Sequence, residues 1–106
     1  MTLPAAESPA SVHRYVWRDE DRVYGFVDYY LFDQVCMITH TEVDPSLQGR
    51  GYGSQVAGKA IEHVRSQGKR IVPVCGFMAH YLRQHPQHFD MVTPASRRIF
   101  NIGKTE

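Results

Sequence analysis

The chain has 106 residues and a formal net charge of +1. This length predicts one domain with a modest core, and so small a charge gives no reason to expect nucleic acid or a membrane as a partner. No apolar run approaches the roughly 18 residues of a membrane span. Residues 1–11 lack the basic start and apolar block of a signal peptide, so we expect a loose tail over residues 1–12 and a cytoplasmic protein.

Three strands are predicted in the first half of the chain, at residues 13–18, 23–32 and 35–43. The second segment is rich in β-branched and aromatic residues, and Asp33-Gln34 closes a turn into the third. Connections this short cannot make parallel crossovers. The sequence therefore predicts an antiparallel meander of three strands.

A helix and a further strand are predicted next. Residues 54–67 have helical periodicity and end at Gly68; their apolar face is Val56, Ala57, Ala60, Ile61 and Val64. Residues 71–75 form a short apolar strand, and a strand–helix–strand order predicts a parallel pair. The predicted fold is therefore α/β (α+β), a mixed sheet of an antiparallel meander plus one parallel strand.

Pro73 has no N–H group to donate to a sheet. It indicates either an edge strand or a strand that diverges from its neighbour after Val43. A second helix is predicted over residues 77–85, ended by Pro86, with a turn or short strand over 87–92. We expect a domain at residues 13–92 and a loose tail at 93–106, in which Ile99, Phe100 and Ile102 could dock.

Residues 41–54 pass from a strand through a glycine-rich loop into a helix. Gly49, Gly51 and Gly53 would let the backbone approach a ligand, and the N–H groups of a helix N-terminus attract phosphate. The run is neither a GxxxxGK[ST] loop nor a GxGxxG fingerprint. The alternative is an ordinary glycine-rich turn that caps a helix.

Gln48, Gly51 and Gly53 match Q/R-x-x-G-x-G/A, the pyrophosphate-binding motif of the GNAT acetyltransferase superfamily. Together with segments 40–43, 73–75 and 81–86, they make residues 15–92 resemble the small YjdJ-type GNAT-like N-acetyltransferases. The resemblance implies a domain that binds acetyl-coenzyme A in a gap between two splayed strands. It also implies that the chain lacks the extra helices and strands with which larger relatives build the site for the acceptor substrate. The identity of the acceptor therefore stays open.

The resemblance implies three groups of coenzyme A contacts. Main-chain groups of Glu42 and Val43 would meet the pantetheine arm, and the Gln48 and Arg50 side chains would add contacts, although Arg50 could also be a solvated loop charge. The diphosphate would lie on the glycine-rich loop and the following N–H groups, at Gly49, Arg50, Gly51, Tyr52, Gly53 and Ser54.

Three side chains are candidates for catalysis under the same resemblance. Cys75 would lie near the thioester, where a thiolate aided by a following helix N-terminus and an imidazole could attack the acetyl group; the alternative is an inert buried thiol, as predicted for Cys36. His40 would act as a general base that takes a proton from the acceptor amine or from Cys75, with Glu42 a weaker candidate, or it would be a structural histidine. Tyr81 would protonate the departing coenzyme A thiolate or line the core.

Metal and disulfide sites are not expected. His80, His85 and His88 fit no zinc spacing, and Cys36 and Cys75 are interpreted as free thiols rather than a bridge. The hypothesis is an acetyltransferase, monomeric or homodimeric, that uses acetyl-coenzyme A and an unidentified amine. The alternative is a non-catalytic module that binds coenzyme A or acyl-coenzyme A within a complex.

Overall fold

The computed structural model describes residues 12–19, 21–47, 49 and 51–103. Within this part of the chain it has strands β1 (Val12–Asp19), β2 (Arg22–Phe32), β3 (Val35–Val43) and β4 (Arg70–Pro73), and helices α1 (Tyr52–Ser66), α2 (Gly76–Arg83) and α3 (Pro94–Ile99), with short 3₁₀ segments at Pro45–Leu47 and Pro86–Met91. The sheet order is β1-β2-β3-β4. The first three strands are antiparallel and β4 is parallel to β3, which confirms the predicted mixed α/β (α+β) sheet.

The core lies between one face of the sheet and the helices. Val27 and Ile38 contribute from the strands, Ile61 from α1, and Met78 and Leu82 from α2, each 0–1% exposed. The five residues predicted as the apolar face of α1 are its buried residues, because the 3.6-residue period brings them to one side. Among the described residues, no helix has the length and apolarity needed to span a bilayer.

A β-bulge at Thr39 changes which residues of β3 face the core. Asp28 pairs with His40 whereas Tyr29 pairs with Ile38, so Thr39 is an extra residue without its own partner on β2. Ile38 is on the core face before the bulge, and Thr41, opposite buried Val27, is on that face after it. His40 consequently lies on the outer face of the sheet.

Strands β3 and β4 separate well before β3 ends. Their pairing runs from Val35 with Arg70 to Ile38 with Pro73. There the carbonyl of Ile38 accepts hydrogen bonds from the N–H groups of both Val74 and Cys75, at 2.9 and 3.0 Å. The divergence predicted from Pro73 is present, but it begins at Ile38 rather than after Val43, and β4 is also the last strand of the described sheet.

The predicted strand at residues 71–75 is too long at its C-terminal end. Cys75 is not in β4 but occupies the N-cap position of α2, with φ −73° and ψ 128°. The reason is the turn of the chain at the Ile38 carbonyl, which ends parallel pairing at Pro73. The thiol is thus placed at the start of a helix rather than along a strand.

The sequence predicts a loose tail after residue 92, whereas in the structure residues 93–103 include a capped helix and a buried isoleucine. The hydroxyl of Thr93 accepts a hydrogen bond from the Ser96 N–H and caps α3, which has Pro94 in its first turn. Ile102 is 0% exposed and belongs to the core, whereas Ile99 is 73% exposed. The tail expected at residues 1–12 lies outside the described residues except for Val12, and the domain boundaries at 13 and 92 stay predictions.

Candidate functional site

The glycine-rich loop turns the chain from β3 into α1. Gly49 and Gly51 both have φ of +83°, in the left-handed region that glycine adopts without a steric penalty. Gly51 caps α1 without a side-chain hydrogen bond, and the first turn holds no acidic residue. The N–H groups of Tyr52, Gly53 and Ser54 have no acceptor inside the helix, so they can bind an anion. Gln48 and Arg50 lie outside the described residues, and their contacts stay predictions.

A groove of about 420 Å³ lies at this point, between the end of β3 and the starts of α1 and α2. Its lining consists of Thr41, Glu42, Val43, Gly49, Gly53 and Phe77. The structure thus brings four of the predicted cofactor-binding residues together. The sequence did not indicate Thr41 and Phe77 as site residues. Phe77 is the second residue of α2 and is 41% exposed. Helical periodicity in the sequence does not predict that such an apolar residue lines a groove.

Gly53 allows α2 to approach the groove closely. A Cβ atom at this position would lie 3.0 Å from the Phe77 ring and 3.7 Å from a methyl group of Val43. A side chain here would therefore displace the Phe77 ring, which lines the groove. This close approach is the reason for a glycine at position 53, whereas at Gly49 and Gly51 the reason is backbone conformation.

Cys75 borders the groove through Thr41. Its Sγ donates a weak hydrogen bond to Thr41 Oγ1 at 3.6 Å, and the side chain is half-buried. Both cysteines are free thiols, as predicted. Cys36 is fully buried, and this burial raises its pKa to about 12, so it stays a protonated core residue. Of the two thiols, only Cys75 is placed to meet a ligand.

His40 does not lie beside Cys75. Its Nε2 is 2.9 Å from Glu42 Oε1 and its ring is 5.8 Å from that of Phe26, both on the outer face of the sheet. Cys75 contacts Thr41, which faces the opposite side. Proton transfer from Cys75 to His40 therefore does not fit this geometry, because the Thr39 bulge sets the direction of His40. A role for His40 or Glu42 towards an acceptor amine stays a prediction.

Tyr81 directs its hydroxyl towards α1. The hydroxyl oxygen is 3.1 Å from the position of a Cβ atom at Gly58. Burial, followed by the Glu62 carboxylate, raises the pKa of Tyr81, so the phenol keeps its proton at neutral pH. The ring stacks on His85 at 3.9 Å, and His85 Nδ1 donates to the Tyr81 carbonyl at 2.7 Å. Tyr81 does not line the groove itself, and its role as an acid stays a prediction.

No group of three or more His, Cys, Asp or Glu side chains in the described part of the chain is arranged to hold a metal ion.

A family model for the GCN5-related N-acetyl-transferases matches residues 14–92. The chain belongs to the GCN5-related N-acetyltransferase family. This result confirms the GNAT resemblance of the motif at Gln48–Gly53 at the level of the family. No curated protein matches the chain.

Solved structures agree with the fold of this GNAT domain. A GCN5-like protein from Staphylococcus aureus is 24% identical, with 81% of this chain and 90% of that chain covered and a TM-score of 0.59. GCN5 from Tetrahymena is 14% identical, with 90% and 61% covered and a TM-score of 0.57. An acetyltransferase from Bacillus cereus is 23% identical, with 69% and 54% covered and a TM-score of 0.51.

The GNAT domain is short beside several of these structures. The matched part spans 42% of a GNAT-family protein from Desulfovibrio desulfuricans and 54% of the Bacillus cereus protein. At such identities the similarity shows a shared fold.

Proposed function

We propose that this chain is an acetyl-coenzyme A-dependent N-acetyltransferase of the small YjdJ type, which transfers an acetyl group to an unidentified amine. One observation carries the proposal. A groove between the end of β3 and the starts of α1 and α2 opens onto the N-terminus of α1, beyond the point where β3 and β4 diverge. Its volume of about 420 Å³ is in the usual range for ligand sites, roughly 300–1,000 Å³.

The groove and the start of α1 offer complementary groups to two parts of acetyl-coenzyme A, the diphosphate and the pantetheine arm. The N–H groups at the start of α1 and the positive end of its dipole suit the diphosphate. Main-chain groups of residues 39–43 have no partner on β4, so the amides of the pantetheine arm can hydrogen-bond to them. Phe77 gives the arm an apolar wall.

Cys75 is the proposed nucleophile, because its Sγ lies 3.6 Å from the hydroxyl of Thr41, which lines the groove. Its thiolate would attack the acetyl carbonyl, and the bond to the coenzyme A sulfur would break as the new thioester on Cys75 forms. The coenzyme A thiolate leaves and takes a proton, for which Tyr81 is the candidate donor; the proton that the Cys75 thiol gave up before its attack returns to Tyr81 through water. The amine then attacks acetyl-Cys75, which releases the amide and restores the thiol. The alternative route is direct attack of the amine on acetyl-coenzyme A, with Cys75 unmodified.

The test has three measurements on the same protein. Calorimetric titration with acetyl-coenzyme A should show one site, intact mass spectrometry should show one acetyl group on Cys75, and an amine panel should release coenzyme A. No heat at millimolar acetyl-coenzyme A would overturn the proposal. Binding without coenzyme A release by any amine would instead identify a non-catalytic coenzyme A-binding module.

A further inference from the structure

A second cavity lies on the other side of β4 from the groove and is lined by arginines. It has a volume of about 730 Å³ and includes Arg70 from the start of β4 and Arg97 and Arg98 from α3. None of its lining residues lines the groove. Because Arg70 begins β4 and Cys75 follows its end, the two sites are at opposite ends of the strand.

The described residues that line this cavity do not neutralise its positive charge. The guanidinium groups of Arg70 and Arg98 have no hydrogen-bond or ion-pair partner within the described residues. Among the described lining residues the one carboxylate is that of Asp90, which accepts two hydrogen bonds from Arg65, at 3.0 and 3.2 Å; these lower its pKa. Since arginine stays charged at any ordinary pH, the cavity attracts anions.

The far wall of the cavity is held in a fixed shape. Arg97 donates to the carbonyl oxygens of Ile102 and Gly103, at 3.3 and 3.1 Å, and its guanidinium lies 5.2 Å from the centre of the Phe89 ring. Gly103 has φ of +66°, and a Cβ atom there would lie 2.5 Å from Arg97 Nη2. The C-terminal loop is therefore wrapped closely around Arg97. This arrangement leaves Asn101 at the rim, where its amide can both donate and accept hydrogen bonds.

We infer that this cavity binds a small organic anion, with a carboxylate or phosphate group on Arg70 and Arg98 and an apolar body against Phe89 and Pro94. Forked guanidinium donors match both head groups in a bidentate manner. The volume suits a small molecule, and the apolar floor favours an anion with an organic body over an inorganic ion. This site is independent of the proposed transferase activity.

The inference is tested by titrating the full chain at low salt with phenyl phosphate, benzoate and inorganic phosphate. Changes in amide chemical shifts should map to Arg70, Arg98 and Asn101, and an organic anion should bind more tightly than inorganic phosphate. Phenyl phosphate and benzoate distinguish the two head groups. Arg70→Gln and Arg98→Gln should each weaken binding by about tenfold. Arg18→Gln removes an exposed charge from β1 and should leave binding unchanged.

Equal affinity of the Arg70 and Arg98 variants and the wild type for the anions would overturn the inference. Changes in amide chemical shifts at the α1 N-terminus alone would also overturn it. So would a failure of all three anions to bind at millimolar concentration. Saturating acetyl-coenzyme A should not displace phenyl phosphate. If acetyl-coenzyme A displaces phenyl phosphate and the amide chemical shifts change only in the arginine cavity, the cavity is a coenzyme A subsite. That result would contradict the independence of this site from the proposed transferase activity. Because the readout needs no acetyl transfer, its failure and that of the proposed activity are separate results.

Discussion

The thiol of Cys75 and the hydroxyl of Thr41 lie 3.6 Å apart, across the gap between β4 and β3. Two elements fix this pair. The Thr39 bulge turns Thr41 towards the core face, and the hydrogen bond from the Cys75 N–H to the Ile38 carbonyl holds the start of α2. The thiol is therefore kept beside the groove by backbone contacts.

Replacing the thiol separates the two routes of acetyl transfer. If Cys75 carries the acetyl group, Cys75→Ala should lose the acetyl adduct in intact mass spectra and lower coenzyme A release by at least about 100-fold. Binding of acetyl-coenzyme A should change little, since the groove is formed mainly by other residues. Unchanged turnover in this variant would show direct attack by the amine and remove Cys75 from the mechanism.

Thr41 should position the Cys75 thiol. Thr41→Val keeps the shape of the side chain but removes the acceptor, so turnover should fall by up to about tenfold, the equivalent of one hydrogen bond. Thr41→Ser is the matched control, because it keeps the hydroxyl. Steady-state kinetics should show the change in kcat rather than KM. A loss of the same size in both variants would mean that the methyl group, not the hydrogen bond, is what matters.

Gly53 should control access to the groove. In Gly53→Ala the new methyl group would move the Phe77 ring, 3.0 Å away, and weaken acetyl-coenzyme A binding by roughly fivefold or more through overpacking of about 1–3 kcal/mol. Gly76→Ala is the control, because this glycine also begins a helix and a Cβ atom there would meet nothing. Calorimetry on both variants measures the difference. Equal affinities would show that Phe77 does not limit the groove.

The C-terminal segment should contribute to stability. Ile102→Ala removes a side chain that is 0% exposed and should lower the free energy of unfolding by about 2–5 kcal/mol. Ile99→Ala, at a position 73% exposed, should change it by less than about 0.5 kcal/mol. Urea denaturation followed by circular dichroism measures both. Similar small effects would restore the interpretation of residues 93–106 as a loose tail.

His88 should make the fold sensitive to mild acid. Burial lowers its pKa below the ordinary 6.5, and its Nδ1 has no hydrogen-bond partner within the described residues. The folded state therefore favours the neutral ring, and the unfolded chain takes up the proton first. Stability from this group is present above pH 6.5 and is lost as the pH falls from there to the lower folded-state pKa.

Denaturation of the wild type and of His88→Gln across this range tests the linkage. The wild type should lose stability between pH 6.5 and the lower folded-state pKa, and the variant should lose less. Asp90 is a separate contributor, because the hydrogen bond from Arg65 lowers its pKa from 3.8 and so moves its effect to more acidic conditions. Parallel curves for the two proteins down to about pH 4, near the ordinary pKa of a carboxylate, would contradict the assignment to His88.

The sequence predicted the elements whose periodicity is long and clear. The bounds of β3 were predicted as observed, and α1 begins two residues before the predicted start, because Gly51 can cap a helix without a side chain. The C-terminal segment was harder. Pro94 after Thr93 is a helix-start signal, but a helix of six residues leaves almost no periodic pattern, and the burial of Ile102 depends on a loop around Arg97.

Four of the residues predicted to bind the cofactor line one groove, but the directions of the neighbouring side chains could not be predicted. The glycine spacing indicated the loop and the groove, since those glycines are needed for backbone reasons that a sequence shows directly. The direction of His40 depends on one unpaired residue, Thr39, and no local sequence signal marks a bulge there. Beyond a bulge, the side chains of a strand no longer alternate between the two faces in the expected order. The sequence alone therefore could not show whether the side chain of His40 lies near Cys75.

The Ile38 carbonyl accepts two hydrogen bonds, and this affects the rate at which a ligand can enter. The backbone itself keeps β3 and β4 apart, so an incoming molecule has no interstrand ladder to break. Entry should then be a single bimolecular step, with an observed rate that rises linearly with concentration and does not level off at a gating rate. The empty and occupied forms should differ by about 1 Å or less in this part of the main chain.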